Sequence, residues 1–384
     1  MKATLSEFLM EDWLEKHRFS ARFNAGESGH RSQNLASFLA GLQPDFSFSL
    51  GEALAEVMLC DAPNMGMDEL RVAVASLHPG SSPENILITT GTSEAVLLLL
   101  RQLKPKKVAV LTPAFQLLTE IPKSLGAQIL PLSVRWDEHG IPNADLKHWC
   151  ELLRSERPDV FILNHPHNPS GLVFDDFEMG CLIEAAESVG CIVVGDEHYR
   201  FLSGLNPDAG KTLYRPGRFV TGSFIKCTGT PGLRIGWCVG DSETLRAMQS
   251  EKNYLTHTVN PLSQILALWF LQSLERNNSF FAPLHREWLL NKETFENWVK
   301  SQESWFGASP CGGLVSCLFS RHPSSERDIF LTLRKNEIFL LPLSSFGDSF
   351  LFPSQFSSGF RIGFGLHPGC FKDMFSVMVR NRLS

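Results

Sequence analysis

The spacing of hydrophobic residues changes along the chain. Residues 5–19 place Phe8, Leu9, Trp13 and Leu14 on one side of a 3.6-residue repeat, which predicts an amphipathic helix. The stretch NAGESGHRS, rich in Gly and Ser, breaks that repeat and predicts a loop. From about residue 86, short apolar runs alternate with longer stretches of helical period. The runs are ILIT at 86–89, VAVL at 108–111, QILPLSV at 128–134, VFILN at 160–164, CIVVGDE at 191–197 and RFVTGSF at 218–224. They are apolar throughout, as strands covered on both faces are. Strands alternating with helices such as SEAVLLLLRQL predict βαβ units, hence an α/β fold with a mostly parallel sheet. After about residue 276 the pattern mixes helices with GGLVSCLF, IFLLPL and GFRIGFGL, which predicts a smaller α+β domain. The expected division is an N-terminal helix and arm (1–45), a large domain (46–275) and a small C-terminal domain (276–384). A length of 384 residues fits two cores better than one.

Composition removes several classes of function. The chain is 43 % hydrophobic and 20 % charged, ordinary values for a globular protein. Its net charge is −6 and no block of Lys and Arg stands out, so no nucleic-acid or anionic-membrane partner is expected. Nine cysteines are scattered singly without a CxxC pair, which argues against a disulfide framework or a zinc site; no metal is expected. The longest apolar run, near Ala95 to Leu100, is far short of a membrane span. The N-terminus reaches acidic residues too soon for a secretion signal, so the expected location is the cytoplasm.

In an open α/β sheet, ligands bind beyond the C-terminal ends of the strands. The run at 86–89 ends in TGTSEA, where Gly91, Thr92 and Ser93 open a helix. Free backbone N–H groups at a positive helix end outline a phosphate site, although the same residues also serve as a plain N-cap. The run at 160–164 ends in NHPHNPSG, whose prolines and Gly171 fix a turn and aim the amide of Asn168. The run at 191–195 ends in GDEHY, where the buried strand-end carboxylate of Asp196 calls for a cationic partner. In SFIKCTGTPGLRIGW, Ser223, Lys226 and Arg234 lie between glycines that permit close approach to a ligand. His165, His167 and His198 lack metal-like spacing and read as turn or supporting residues.

Together with PAF at 113–115 and GFRIGFG around Arg361, these segments resemble the class I/II aminotransferases, fold type I enzymes that use pyridoxal 5′-phosphate (PLP). The likeness runs in order over roughly residues 60–365, with Lys226 placed 30 residues after Asp196. It implies that Lys226 holds PLP as a Schiff base and then moves the α-proton. Asp196 would pair with the pyridine nitrogen, Asn168 and Tyr199 with the ring 3′-oxygen, and Phe115 would stack on the ring. Ser223, Arg234, Thr92 and Ser93 would hold the phosphate, and Arg361 the substrate carboxylate. A homodimer acting on a small-molecule amino-acid substrate is implied as well. One departure concerns the loop CDAPNMGMDELR, where many relatives carry a tyrosine that reaches the partner's phosphate; here there is none, and Asn64 is a substitute candidate.

The resemblance implies transamination to a 2-keto acid. A shorter one points elsewhere: EDWLEKHRF followed by NAGESGH is similar to the start of the capreomycidine synthase-like subgroup. Those enzymes eliminate a hydroxyl from a hydroxylated arginine and close a guanidine ring. Glu27 could hold a guanidinium there, and His30 could shuttle a proton to the leaving group. A catalytically silent regulator is disfavoured, because about 45 residues precede the matched region and carry no basic stripe.

Overall fold

The computed structural model describes residues 5–42, 50–202, 207–276, 280–347 and 356–380. Seven strands form the main sheet: β1 (Ile86–Thr89), β2 (Lys107–Thr112), β3 (Gln128–Ser133), β4 (Val160–Asn164), β5 (Ile192–Glu197), β6 (Phe219–Gly222) and β7 (Gly236–Val239). Their order is β1-β7-β6-β5-β4-β2-β3. All run parallel except β7, which is antiparallel to both neighbours. The six runs read from the sequence match six of these strands. The seventh, GWCV, follows directly on the glycine-rich lysine segment, whose glycines and proline mask its start.

Both faces of the sheet are covered. Val108 and Val110 point into one apolar cluster with Leu98, Leu99 and Ile162, while Ala109 and Leu111 point into the other with Phe161 and Leu163. That is the two-residue alternation of a strand with no solvent face. At the edge, β3 buries only Leu132 and tolerates Pro131, as an edge strand does.

A second, antiparallel sheet is built from β8 (Trp305–Phe306), β9 (Val315–Ser320), β10 (Leu341–Pro342) and β11 (Ser358–Gly363), in the order β8-β9-β11-β10. Helices Phe281–Lys300 and Pro368–Arg380 accompany it, with Trp298 stacked on Phe375 at 4.4 Å between ring centres. No helix among the described residues is long and apolar enough to cross a membrane.

The N-terminal segment differs from expectation twice. The helix is Leu9–His17, shorter than 5–19, and begins after Phe8 with Glu11 and Asp12 in the first turn. The Gly- and Ser-rich segment is not a free loop. Phe23–Asn24 pairs in parallel with Ile338–Phe339, and Gly363 N donates to Ala25 O at 2.7 Å. Further on, His30 N donates to Lys226 O at 2.9 Å, Arg31 N to Gly365 O at 2.9 Å and Gln33 N to Gly229 O at 2.8 Å. Backbone bonds therefore tie residues 23–33 to the small sheet and to the segment after β6, a register that periodicity cannot show.

Candidate active site

A cavity of about 510 Å³ lies beyond the C-terminal ends of β1, β4 and β5, with the N-terminal arm and β11 closing it. At the end of β5 the alternation turns Asp196 toward the cavity and Glu197 away. Glu197 accepts from Leu213 N at 2.6 Å and lies 3.5 Å from Arg200, and burial pushes its carboxyl up.

Asp196 is only 2 % exposed. Asn164 Nδ2 donates to its Oδ2 at 3.0 Å and Thr221 Oγ1 to its Oδ1 at 2.9 Å, while His198 Nε2 lies 3.3 Å from Oδ1. Among the described residues no Lys or Arg pairs with it, so the chain itself does not supply the cationic partner that the sequence calls for. Burial, and then Lys226 and Arg234, lower the His198 pKa against the opposing effect of Asp196, so this neighbour is neutral near pH 7. A buried carboxylate held by neutral donors keeps its charge for a cation brought into the cavity.

Lys226 sits in the short helix Ile225–Thr228, ended by Gly229 at φ +69°. Burial lowers its pKa below the ordinary lysine value; Arg361 and Arg234 add to this, and Glu27 and Glu11 oppose it. A lowered pKa makes the neutral, nucleophilic amine easier to reach. Cys227 beside it is buried, with its thiol donating to His198 O at 3.2 Å.

The anion end is built by backbone. Gly91, at φ +74°, precedes the helix Thr92–Leu103, and a Cβ there would meet Arg234 Nη2 at 2.7 Å. A Cβ on Gly236 would meet Thr92 N at 2.7 Å. Arg234, Thr92 and Ser93 line the cavity where the first helical N–H groups lack intrahelical partners. Ser223 does not line it. Its side chain is fully buried and its hydroxyl donates to Ile235 O at 2.7 Å, bracing the turn between β6 and β7.

Phe115 and Asn168 are on the wall. Asn168 N donates to Asn164 Oδ1 at 2.8 Å, and its own Oδ1 accepts from Arg361 Nη1 at 3.2 Å. Arg361 is 1 % exposed, and its Nη2 donates to Gly26 O. Its Nε is buried without a hydrogen-bond partner, and among the described residues no carboxylate pairs with it. The Tyr199 hydroxyl donates to Ser28 O at 2.6 Å and so ties down the arm; burial raises its pKa.

Glu27 and His30 also line the cavity. Glu27 Oε1 lies 3.5 Å from Arg18 Nε, and Arg18 in turn pairs with Glu11 at 3.1 Å. His30 is buried with neither ring nitrogen hydrogen-bonded in good geometry. Burial lowers its pKa to about 4; Arg31 and His285 add to this, while Glu287 and the Gly365 carbonyl oppose it. Asn64 is not on the wall; it donates to Asn253 Oδ1 at 2.9 Å.

Sequence reasoning passed over Asn164, Glu11 and Arg18, and gave His198 only a supporting part. Two-residue alternation from Asp196 would have found His198. Asn164 faces Asp196 only through the β4–β5 register, which no local signal reports.

The site fits PLP: an uncompensated buried carboxylate, a lysine of lowered pKa, a compact anion cradle and a buried arginine without an anion share one cavity. Residues 60–368 match the family of class I and II aminotransferases, and the chain belongs to that family. It is a PLP-dependent enzyme of the aminotransferase type.

Among individual relatives, it is 27 % identical over 351 residues to capreomycidine synthase of Streptomyces vinaceus, covering 88 % of this chain and 86 % of that one. It is 24 % identical to an aspartate aminotransferase of Thermococcus kodakarensis, over 74 % of this chain and 72 % of that one. Its fold is similar to that of a PLP-dependent aminotransferase from Streptococcus suis, with a TM-score of 0.84, 21 % identity and 98 % of each chain covered.

Proposed function

We propose that the enzyme transfers the amino group of an L-amino acid to a 2-keto acid. The observation that carries this reading is that Lys226, Asp196 and Arg361 share one cavity, with Arg361 buried and lacking an anion. When bound, PLP supplies an electron sink for the α-carbon. Lys226 anchors it and carries the α-proton between substrate and product. Asp196 holds the pyridine nitrogen protonated, with Asn164 and Thr221 fixing its two oxygens. Arg234, Thr92, Ser93 and the helix N-terminus take the phosphate. Asn168 serves the ring oxygen, Tyr199 does so when its hydroxyl turns from Ser28 O, and Phe115 serves the ring face. Arg361 receives the carboxylate of donor and acceptor in turn, replacing its bond to Asn168. We also propose that the enzyme works as a homodimer in the cytoplasm.

A second reading is elimination and ring closure on a hydroxylated arginine. It is favoured by Glu27 and His30 lying on the cavity wall and by the long match to capreomycidine synthase. Burial keeps His30 neutral near pH 7, so it takes up a proton before giving one.

Product analysis with a panel of amino acids and keto acids separates the two. Transamination consumes a keto acid one-to-one with the donor. Elimination gives a cyclic guanidine from hydroxyarginine and consumes no keto acid; that outcome would replace the first reading with the second.

A further inference from the structure

His198 has no role in the reaction described above, yet its surroundings are specific. It follows Asp196 by two residues, so its ring turns to the same side as the carboxylate. Its Nε2 lies 3.3 Å from Asp196 Oδ1 and 2.9 Å from Thr92 Oγ1. The side chain is 18 % exposed, toward the cavity, and its Nδ1 is buried without a hydrogen-bond partner. The Cys227 thiol fixes its carbonyl at 3.2 Å, next to Lys226. The charged groups around it are Asp196, Lys226 and Arg234.

The network fixes the tautomer. A bare Nε2 would turn its lone pair on a carboxylate oxygen, so Nε2 carries the hydrogen and Nδ1 is bare. That N–H is shared between Asp196 Oδ1 and Thr92 Oγ1. The Thr92 oxygen is then an acceptor, and its own hydrogen is left for an oxygen atom inside the cavity. Asp196 accepts from Asn164, Thr221 and His198, and a carboxylate has about four acceptor positions, which leaves one for a ring N–H.

We propose that His198 is a positioning residue for the cofactor: one N–H orients the Asp196 carboxylate and the Thr92 hydroxyl together and directs the Thr92 hydrogen to the phosphate. This rests on the cofactor placement given under the proposed function. His198 does not touch the reacting atoms; it acts through the two groups that hold the ends of the ring system. A ring held at its nitrogen by Asp196 and at its phosphate by Thr92 must run alongside His198, because the three side chains are consecutive neighbours.

The test is equilibrium binding of pyridoxamine 5′-phosphate to the apoenzyme, followed by fluorescence, since this probe forms no bond to Lys226. Four proteins are compared: the parent, Thr92→Val, His198→Phe and the double variant. Each single change is expected to weaken binding about ten-fold, the scale of one charge-assisted hydrogen bond. The double variant should bind only slightly more weakly than His198→Phe, because the histidine acts in part through the Thr92 hydroxyl and the two losses share that path. His198→Gln, which restores an N–H, should recover at least about three-fold. The proposal is overturned if His198→Phe binds within two-fold of the parent, or if the two losses multiply. Unchanged binding by Thr92→Val alone would remove the phosphate placement, and the inference with it. If His198→Phe fails to fold by circular dichroism, the same cycle is run with His198→Ala.

Discussion

At the residue scale, the site works by leaving particular charges unmatched. Asp196 is held by Asn164, Thr221 and His198, none of them a lysine or arginine. Asp196→Asn should therefore fold normally and lower kcat by about 10²–10³-fold, since a neutral amide gives a pyridinium no preorganised countercharge. A kcat within three-fold of the parent would show that Asp196 does not face the ring. Lys226→Ala should retain cofactor without the imine absorbance and lose turnover; turnover within ten-fold of the parent would remove Lys226 from the reaction. Asp196 was legible in the sequence because it ends a strongly patterned strand, and Lys226 because it sits in the glycine-rich segment that follows one. For Ser223 the motif fixes the position in the chain and not the rotamer; in the fold, Ile235 O is the acceptor within its reach. The unpaired state of Arg361 was not legible at all, since it depends on which segments close over it.

At the scale of elements, the sheet was readable and the arm was not. Apolar runs of four to six residues announce themselves, whereas NAGESGHRS has no periodicity and gains its structure from partners far along the chain. Those partners leave it no slack. A Cβ on Gly363 would come within 2.1 Å of Glu27 O, and one on Gly365 within 2.1 Å of Gly29 O, both backbone atoms. Gly363→Ala should unseat the arm while the main sheet stays intact. The expected result is trypsin cleavage at Arg22 or Arg31 under conditions where the parent resists, with KM raised about ten-fold or more. Equal protease resistance would mean that the arm adapts without leaving its track.

At the scale of the whole molecule, buried histidines make stability depend on pH. Burial lowers His30, His165 and His167 from 6.5 to about 4. The unfolded chain then binds more protons than the folded one between those values. Stability is fully present above about 6.5 and is lost as pH falls toward 4, each ring contributing a loss of about 1.4 kcal/mol for every pH unit crossed in that window. Glu197 and Glu326, raised by burial, act in the opposite sense near their ordinary range and offset part of the loss. The melting temperature should be level from pH 7 to 8 and fall between pH 6 and 4.5; a flat profile across that range would contradict the burial of these rings. Association has its own signature: Met58, Leu59, Tyr254 and Leu255 are exposed at 73, 82, 91 and 55 %. The Asn64–Asn253 bond links their two segments. Sedimentation at micromolar concentration should give a species twice 42.9 kDa, shifting to the monomer in Leu59→Glu/Tyr254→Glu. A parent that sediments at 42.9 kDa would refute the homodimer.

The single reversed strand, β7, has a consequence for how occupancy and folding are linked. Because β7 runs opposite to β6, the segment 223–235 leaves and re-enters the sheet at the same end of the strands. Lys226 and Arg234 therefore hang from two adjacent interior strands across a short span of chain. A ligand gripped by both is a cross-brace between those strands, present only in the folded chain. By mass action, such a brace adds RT ln(1 + [L]/Kd), about 2.7 kcal/mol when the free ligand is a hundred times its dissociation constant. Ligand occupancy thereby becomes a determinant of the fold's stability as well as of activity: without the ligand, the same chain should open more often between β6 and β7.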